Sequence, residues 1–412
     1  TNLVATLLSD SEASLRWNRS FDNVNIDGYK VIRNGADLST VIGETFNDAG
    51  LAIDTEYCYT VVAYDSSGND SLPSNTACIN SIWNTQNVDP NIEISETLDL
   101  VTDSIGNAHI VFYDRISGYL RYTSNKSSAW VFEDIDYIKS TGTQYSSIAI
   151  DSNGYLHISY RDNINEVLKY ATNQSGNWST TILDSIISSG NYTSIALDSL
   201  DNVHISYYSS GYLSYITNAS GTWVNEIVDS SGGHTSSSIS VSPGGYVHIT
   251  YYNSIDKTIK YSTNLSGNWV KTTIASISGT FAGSASSSIV DQNDKLHLCY
   301  YSGGLNYATN ITGSWKYTNN ISSGGQFCSI ALSTSGTMHI SHKYDYTRLI
   351  DSTYYLFQDL IYTTNVSSQW VSYTLDQSGA GWYSAINIDS NDKTHIAYMV
   401  LYENSLNYAT NK

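Results

Sequence analysis

The stretch LKYATNQSGNW, Leu168–Trp178, decides how the rest of the chain is read. It alternates apolar and polar residues, enters an Asn-x-Ser-Gly segment with turn chemistry, and restarts on a tryptophan. Close copies follow as LSYITNASGTW (213–223), IKYSTNLSGNW (259–269) and LNYATNITGSW (305–315). Working outward, a histidine recurs at His109, His157, His204, His248, His297, His339 and His395. A tryptophan recurs at Trp83, Trp130, Trp178, Trp223, Trp269, Trp315 and Trp370. Most of these spacings fall between 42 and 49 residues, with one longer interval in the sixth repeat. Each unit reads as four short strands, as in YSSIAID, YLHISY, VLKYAT and WSTTILD, here called a to d.

Four strands per unit of this period are the mark of a β-propeller blade. The final repeat stops at SLNYATNK, after strand c, with no tryptophan strand behind it. The missing strand stands at the front: in WNTQNVD, Val88 and Asp89 hold the offsets from Trp83 that Leu183 and Asp184 hold from Trp178. The expectation is an all-β chain whose residues 80–412 form a seven-bladed propeller closed by the Trp83 strand, with no open sheet edge. Such closure places Lys412 at or near a natural chain end. The repeated motif faintly resembles the Asp-box of sialidase-like propellers, Ser-x-Asp-x-Gly-x-x-Trp, which occupies the same c–d turn. Here Asn replaces Asp and Gly lies one residue closer to Trp, so the resemblance bears on fold rather than activity.

Residues 1–79 read differently. ASLRWNRSFDNVNIDGYKVIRNG and TFNDAGLAIDTEYCYTVVAYDSSGNDSLPSNTACI resemble a fibronectin type III module of microbial secreted proteins. The resemblance implies a β-sandwich with Trp17 in its core and Tyr57 and Tyr59 on strand F, acting as a spacer or docking platform. Cys58 and Cys78 flank the turn SSGND on two apparent strands and are placed to pair, while Cys299 and Cys328, in consecutive repeats, are candidates to staple adjacent blades.

Composition narrows the function classes. Charged residues make up 14% of the 412 residues, the net charge is −19, and 35 Tyr stand against 3 Pro. Clustered Lys and Arg are lacking, which argues against nucleic acid and anionic membrane surfaces. No 18-residue apolar run exists, so membrane insertion is not expected. The absent initiator Met suggests a removed leader or upstream modules. Sequons at Asn125, Asn173, Asn218, Asn264, Asn310 and Asn365 fall on the c–d turns and suit an extracellular or cell-surface glycoprotein, although turn chemistry alone accounts for the same pattern. One histidine per blade reads as scaffold, each imidazole bonded to a neighbouring strand or blade. The a–b turns DSNG, DSLDN, DQND and DSND offer too few oxygens for calcium, so no metal and no cofactor are expected.

Function in a repeat protein is sought where the repeat breaks. The sixth repeat carries about ten extra residues between strands b and c, in KYDYTRLIDSTYYLFQDL. This places Tyr344, Tyr346, Arg348, Asp351, Tyr354, Tyr355 and Phe357 on the face opposite the sequons. The seventh repeat adds Trp382, Tyr402 and Glu403. Aromatic rings beside hydrogen-bonding groups suit a glycan or a protein partner. The expected role is non-catalytic recognition or adhesion. The alternatives are a structural subunit of a surface layer or filament, with self-association through this patch, and a sialidase-like glycoside hydrolase. Arg115, Arg161 and Arg348 with the Tyr402/Glu403 pair supply the parts that the sialidase resemblance implies.

Overall fold

The computed structural model describes residues 2–9, 12–20, 26–51, 56–80, 83–90, 92, 94–127, 129–139, 144–277, 286–350, 353–366, 369–377, 379–401 and 403–411. Every regular element among them is a β-strand. The chain divides into two compact units, one built on residues 1–85 and the other on residues 86–372 and 376–409.

The first unit is a two-sheet sandwich. Strands β1 (Val4–Ser9), β2 (Glu12–Arg16) and β5 (Thr45–Ala49) form one sheet. The other has the order β4 (Ala36–Val41), β3 (Ile26–Arg33), β6 (Glu56–Asp65) and β7 (Ala77–Asn80). Period-two alternation turns Ala13, Leu15, Tyr29, Val31, Tyr59 and Val61 inward, with Trp17 edge-on to Tyr29 at 5.4 Å. Cys58 and Cys78 face each other on β6 and β7 and form a disulfide.

The second unit is a succession of four-stranded antiparallel sheets, seven among the described residues. Sheet 1 comprises Ile94–Thr102, Ala108–Asp114, Tyr119–Ser124 and Val131–Tyr137. Sheets 2 to 5 span residues 146–184, 189–229, 234–276 and 287–322 in the same strand order. Sheet 6 comprises Gln326–Leu332, Met338–Ile350, Thr353–Thr364 and Val371–Asp376. Sheet 7 takes Ala380–Ile388, Thr394–Val400 and Ser405–Asn411 from the chain's far end and its outer strand, Trp83–Asp89, from the near end. The first strand of each sheet packs on that of the next, and the first strand of sheet 7 returns to that of sheet 1. This closed ring of sheets is a β-propeller arrangement.

Apolar residues fill the spaces between consecutive sheets. Val111, Tyr113 and Leu120 of sheet 1 meet Ile148, Ile158 and Tyr160 of sheet 2. Leu100, Ile110 and Phe112 of sheet 1 meet Ala397, Leu406 and Tyr408 of sheet 7. Buried tyrosines cross these seams. Tyr160, Tyr207, Tyr251 and Tyr398 each donate their hydroxyl to an aspartate on the outer strand of the preceding sheet, Asp136, Asp184, Asp229 and Asp376, at 2.7 to 3.0 Å. The Cys299–Cys328 disulfide joins sheet 5 to sheet 6.

The recurring Asn-x-Ser-Gly element is the turn between third and outer strands. Gly176, Gly221, Gly267 and Gly313 sit at φ of 83° to 88° and donate their N–H to the carbonyl of Asn173, Asn218, Asn264 and Asn310. The six sequon asparagines of these turns, Asn125, Asn173, Asn218, Asn264, Asn310 and Asn365, accept through Oδ1 the N–H of the first residue of the second strand: Ala108, Leu156, Val203, Val247, Leu296 and Met338. A local fold requirement therefore explains the asparagine at each turn.

Candidate functional site

The sixth-repeat insertion continues the sheet rather than forming an irregular loop. Its two central strands run for 13 and 12 residues, where the equivalents in sheet 2 have 7 and 6. The register is regular from His339↔Thr364 to Ile350↔Thr353. Side chains alternate across such a ribbon, so the candidate residues divide between its two faces.

One face carries Tyr344 and Tyr346, with Phe357 directly opposite Tyr346. The Tyr344 and Tyr346 rings lie 5.3 Å apart at 25°, and the Tyr346 and Phe357 rings 5.5 Å apart at 15°. All three are half-buried. The backbone places Arg348 and Tyr355 on the next rung of this face. The side chains of Arg348 and Tyr355, and all of Asp351 and Tyr402, lie outside the described residues. The opposite face carries Tyr354, 73% exposed, and Leu356, 52% exposed.

Trp382 belongs to that second side. Its Nε1 donates to Gln358 Oε1 at 2.7 Å, and its ring neighbours Phe327 at 5.7 Å. Lys343, only 2% exposed, places Nζ 3.7 Å from the Trp382 ring centroid and 5.5 Å from that of Phe327. Burial pushes the Lys343 ammonium below its usual range, against the opposing pull of Asp345 at 3.0 Å. Trp382 is thus held between a cation, an amide and a second ring at the root of the hairpin, apart from the Tyr344–Tyr346–Phe357 row. Glu403 is exposed in the turn just before the strand Ser405–Asn411.

Lys343, Gln358 and Phe327 were absent from the sequence-derived set, yet a signal was available. HISHK at 339–343 stands where sheet 3 has HISYY at 204–208, so His342 and Lys343 replace two tyrosines of the repeat. Of the arginines that the sialidase resemblance singles out, Arg161 bonds Asn191 at 2.9 Å and reaches Glu166 at 3.7 Å.

The seven repeat histidines are scaffold groups in geometry. Each Nδ1 meets a tyrosine hydroxyl on the adjacent strand, at 2.5 to 2.7 Å. Burial holds every one of these imidazoles below its ordinary pKa.

No family model matches the chain. Among curated relatives, Exoglucanase B of Cellulomonas fimi is 31% identical over 158 residues, covering 35% of this chain and 14% of that enzyme. Chitinase A1 of Niallia circulans is 41% identical over 87 residues, covering 21% of this chain and 12% of the chitinase. An alpha-amylase of Niallia circulans is 43% identical over 68 residues, 16% of this chain and 5% of the amylase. The chain therefore spans only a small part of each of these relatives. Among solved structures, an arginine-substituted mutant of AofleA from Arthrobotrys oligospora superposes with a TM-score of 0.50 at 10% identity, over 76% of this chain and 92% of its own. The Aleuria aurantia lectin AAL gives a TM-score of 0.49 at 16% identity, over 69% and 97%.

Proposed function

We propose that this chain is an extracellular, non-catalytic carbohydrate-binding protein, a fibronectin type III-like module followed by a seven-bladed propeller, that holds a polysaccharide on the hairpin of blade six. The observation that carries the reading is the row Tyr344–Tyr346–Phe357, half-exposed on a ribbon longer than its counterparts. Aromatic faces bind the C–H face of a sugar ring, and the hydroxyls of Tyr344 and Tyr346 place hydrogen-bonding groups on the same row. Relatives named for cleaving glucan and chitin share only a short segment with this chain. That favours a part that accompanies catalysis over one that performs it. Two disulfides support an oxidising compartment.

The test is retention on insoluble chitin and cellulose by wild type, Tyr344→Ala, Tyr346→Ala and Phe357→Ala, with Tyr212→Ser as a surface control. Each hairpin substitution is expected to weaken retention roughly tenfold, while the control is unchanged. Equal retention by all variants would remove the hairpin as the site. Retention of no polysaccharide would leave assembly with a second copy as the better account of the exposed Tyr354 and Leu356.

A further inference from the structure

The axis of the ring holds a cavity of about 210 Å³, lined by the first strand of every sheet. Its walls are mostly hydroxyl groups, and their bonding is incomplete in one direction. Ser194, Ser287 and Ser329 each accept, at 3.3 Å, an N–H of the following sheet, from Ile239, Ile330 and Ile386. A serine oxygen that accepts a backbone N–H still has its own proton to donate. Among the described residues no acceptor takes those three protons, and all three serines are partly accessible. The same wall holds one carboxyl group, Asp99, whose Oδ2 accepts the Ile148 N–H and the Ser147 hydroxyl and whose Oδ1 accepts the Leu100 N–H, leaving one further lone pair on Oδ1.

Phe327 and Tyr383, near the starts of the first strands of sheets 6 and 7, line the cavity with rings 4.6 Å apart. Both residues sit at β-bulges with left-handed backbone, φ 53° and 47°. The same left-handed bulge recurs at Tyr192 and Ser236 on the first strands of sheets 3 and 4, so it belongs to the repeat, and sheets 6 and 7 differ in placing aromatic residues of the cavity wall on it. Three kinds of group thus converge: hydroxyl donors without acceptors, a carboxyl that accepts, and two aromatic rings. A cation would find a single carboxylate among hydroxyls, and an anion would meet Asp99. A neutral ligand with many hydroxyls satisfies all three. The volume lies below the ~300–1,000 Å³ of drug-sized sites, so one sugar ring fits and a chain does not.

We propose that the axial cavity is a second binding site, separate from the hairpin, that takes one neutral monosaccharide through Ser194, Ser287, Ser329 and Asp99, with Phe327 and Tyr383 against its apolar face. The site stands on its own geometry and does not require the hairpin to bind polysaccharide.

The experiment is calorimetry and saturation-transfer NMR on the full chain with glucose, galactose, mannose, N-acetylglucosamine and myo-inositol as probes. The key variant is Ser194→Thr/Ser287→Thr/Ser329→Thr, which keeps every wall oxygen and adds only methyl groups to the cavity. Saturable binding of at least one probe is expected in wild type and in Tyr346→Ala, and its loss in the triple variant with an unchanged melting temperature. Ser329→Ala, which keeps the volume and removes one donor, is expected to weaken the same binding about tenfold. If no probe saturates wild type, or if the triple variant binds as wild type does, the proposal is overturned. Neither result bears on retention by chitin or cellulose, so this failure and that of the hairpin reading are distinguishable.

Discussion

His339 has Tyr362 on Nδ1 at 2.6 Å and a burial that holds its pKa down to about 4. Its six counterparts share the tyrosine contact, and five of the seven also face an aspartate through Nε2, from His395–Asp389 at 3.3 Å to His297–Asp291 at 3.7 Å. The neutral imidazole accepts from the tyrosine and its Nε2–H points at the carboxylate, a tautomer assigned from these partners. The sign of the pH effect follows. Above the ordinary pKa of 6.5 folded and unfolded chains are both neutral at these positions, so stability is fully present. As pH falls below 6.5 the unfolded chain takes protons that the fold refuses, and stability drains away down to the folded value, about 4 for His339. The aspartates Asp103, Asp151, Asp198, Asp291 and Asp389 have lowered pKa values, so their contribution is present above 3.8 and is lost as pH falls further. Melting temperature is therefore expected to fall steadily from pH 6.5 towards 4, with His339→Gln showing a shallower fall. A flat profile across that window would contradict the buried, neutral assignment.

The inner strands show how a repeat survives the loss of one of its own groups. In most sheets a serine on the first strand accepts an N–H from the next sheet: Ser147 from Ile195, Ser194 from Ile239, Ser329 from Ile386. In sheet 7 the equivalent residue is Ala385, which has no acceptor to offer Leu100 of sheet 1. Asp99 occupies the serine position of sheet 1. Its Oδ2 takes Ile148 N–H and the Ser147 hydroxyl, as a serine oxygen would, and its Oδ1 takes Leu100 N–H at 2.8 Å. One carboxyl thus serves both its own seam and the one that alanine leaves bare. Asp99→Ser alone is expected to destabilise by about 1–3 kcal/mol, the cost of an orphaned buried N–H. Adding Ala385→Ser is expected to return most of that loss in a chemical-denaturation cycle, and a double variant no more stable than the single one would refute the compensation. The repeat pattern made strand order and sheet ends legible, because Asn-x-Ser-Gly turns and period-two alternation are local. The pairing of Asp99 with Ala385 was illegible, since it joins positions almost three hundred residues apart. The division of the candidate residues between two faces was missed for a different reason. Its break in repeat length drew attention, whereas the alternation through Lys343–Ile350 and Thr353–Leu360 is that of a regular ribbon.

At the scale of the whole molecule, one sheet differs from the other six in how it is assembled. Sheets 1 to 6 are each contiguous in sequence, but sheet 7 joins Trp83–Asp89 to Ser405–Asn411. That closure was readable from Trp83, Val88 and Asp89 because ring geometry demands a partner for an otherwise bare edge. Its energetic consequence is that the outer strand of sheet 7 is held by hydrogen bonds and by Val88 in the core shared with sheet 1, with no short turn tying it to its neighbour. A detached strand that a short turn ties to its own sheet stays at high local concentration there, whereas Trp83–Asp89 is tied only to the first strand of sheet 1 and peels from Ser405–Asn411 at a larger entropic gain. The lowest-energy opening of the ring is therefore expected at this seam. In hydrogen exchange, amides of Ser405–Asn411 are expected to lose protection before those of the equivalent strand Val167–Thr172 in sheet 2. Val88→Asp, which puts a carboxylate into the seam core, is expected to make the Ser405–Asn411 amides exchange freely and to loosen sheets 1 and 7 while sheets 3 and 4 stay protected. Leu183→Asp, the same change at the matching place in sheet 2, is expected to lower stability without that localised opening. If both variants lost protection evenly around the ring, the seam would be no weaker than any other junction, and closure from the two ends of the repeat region would carry no special cost.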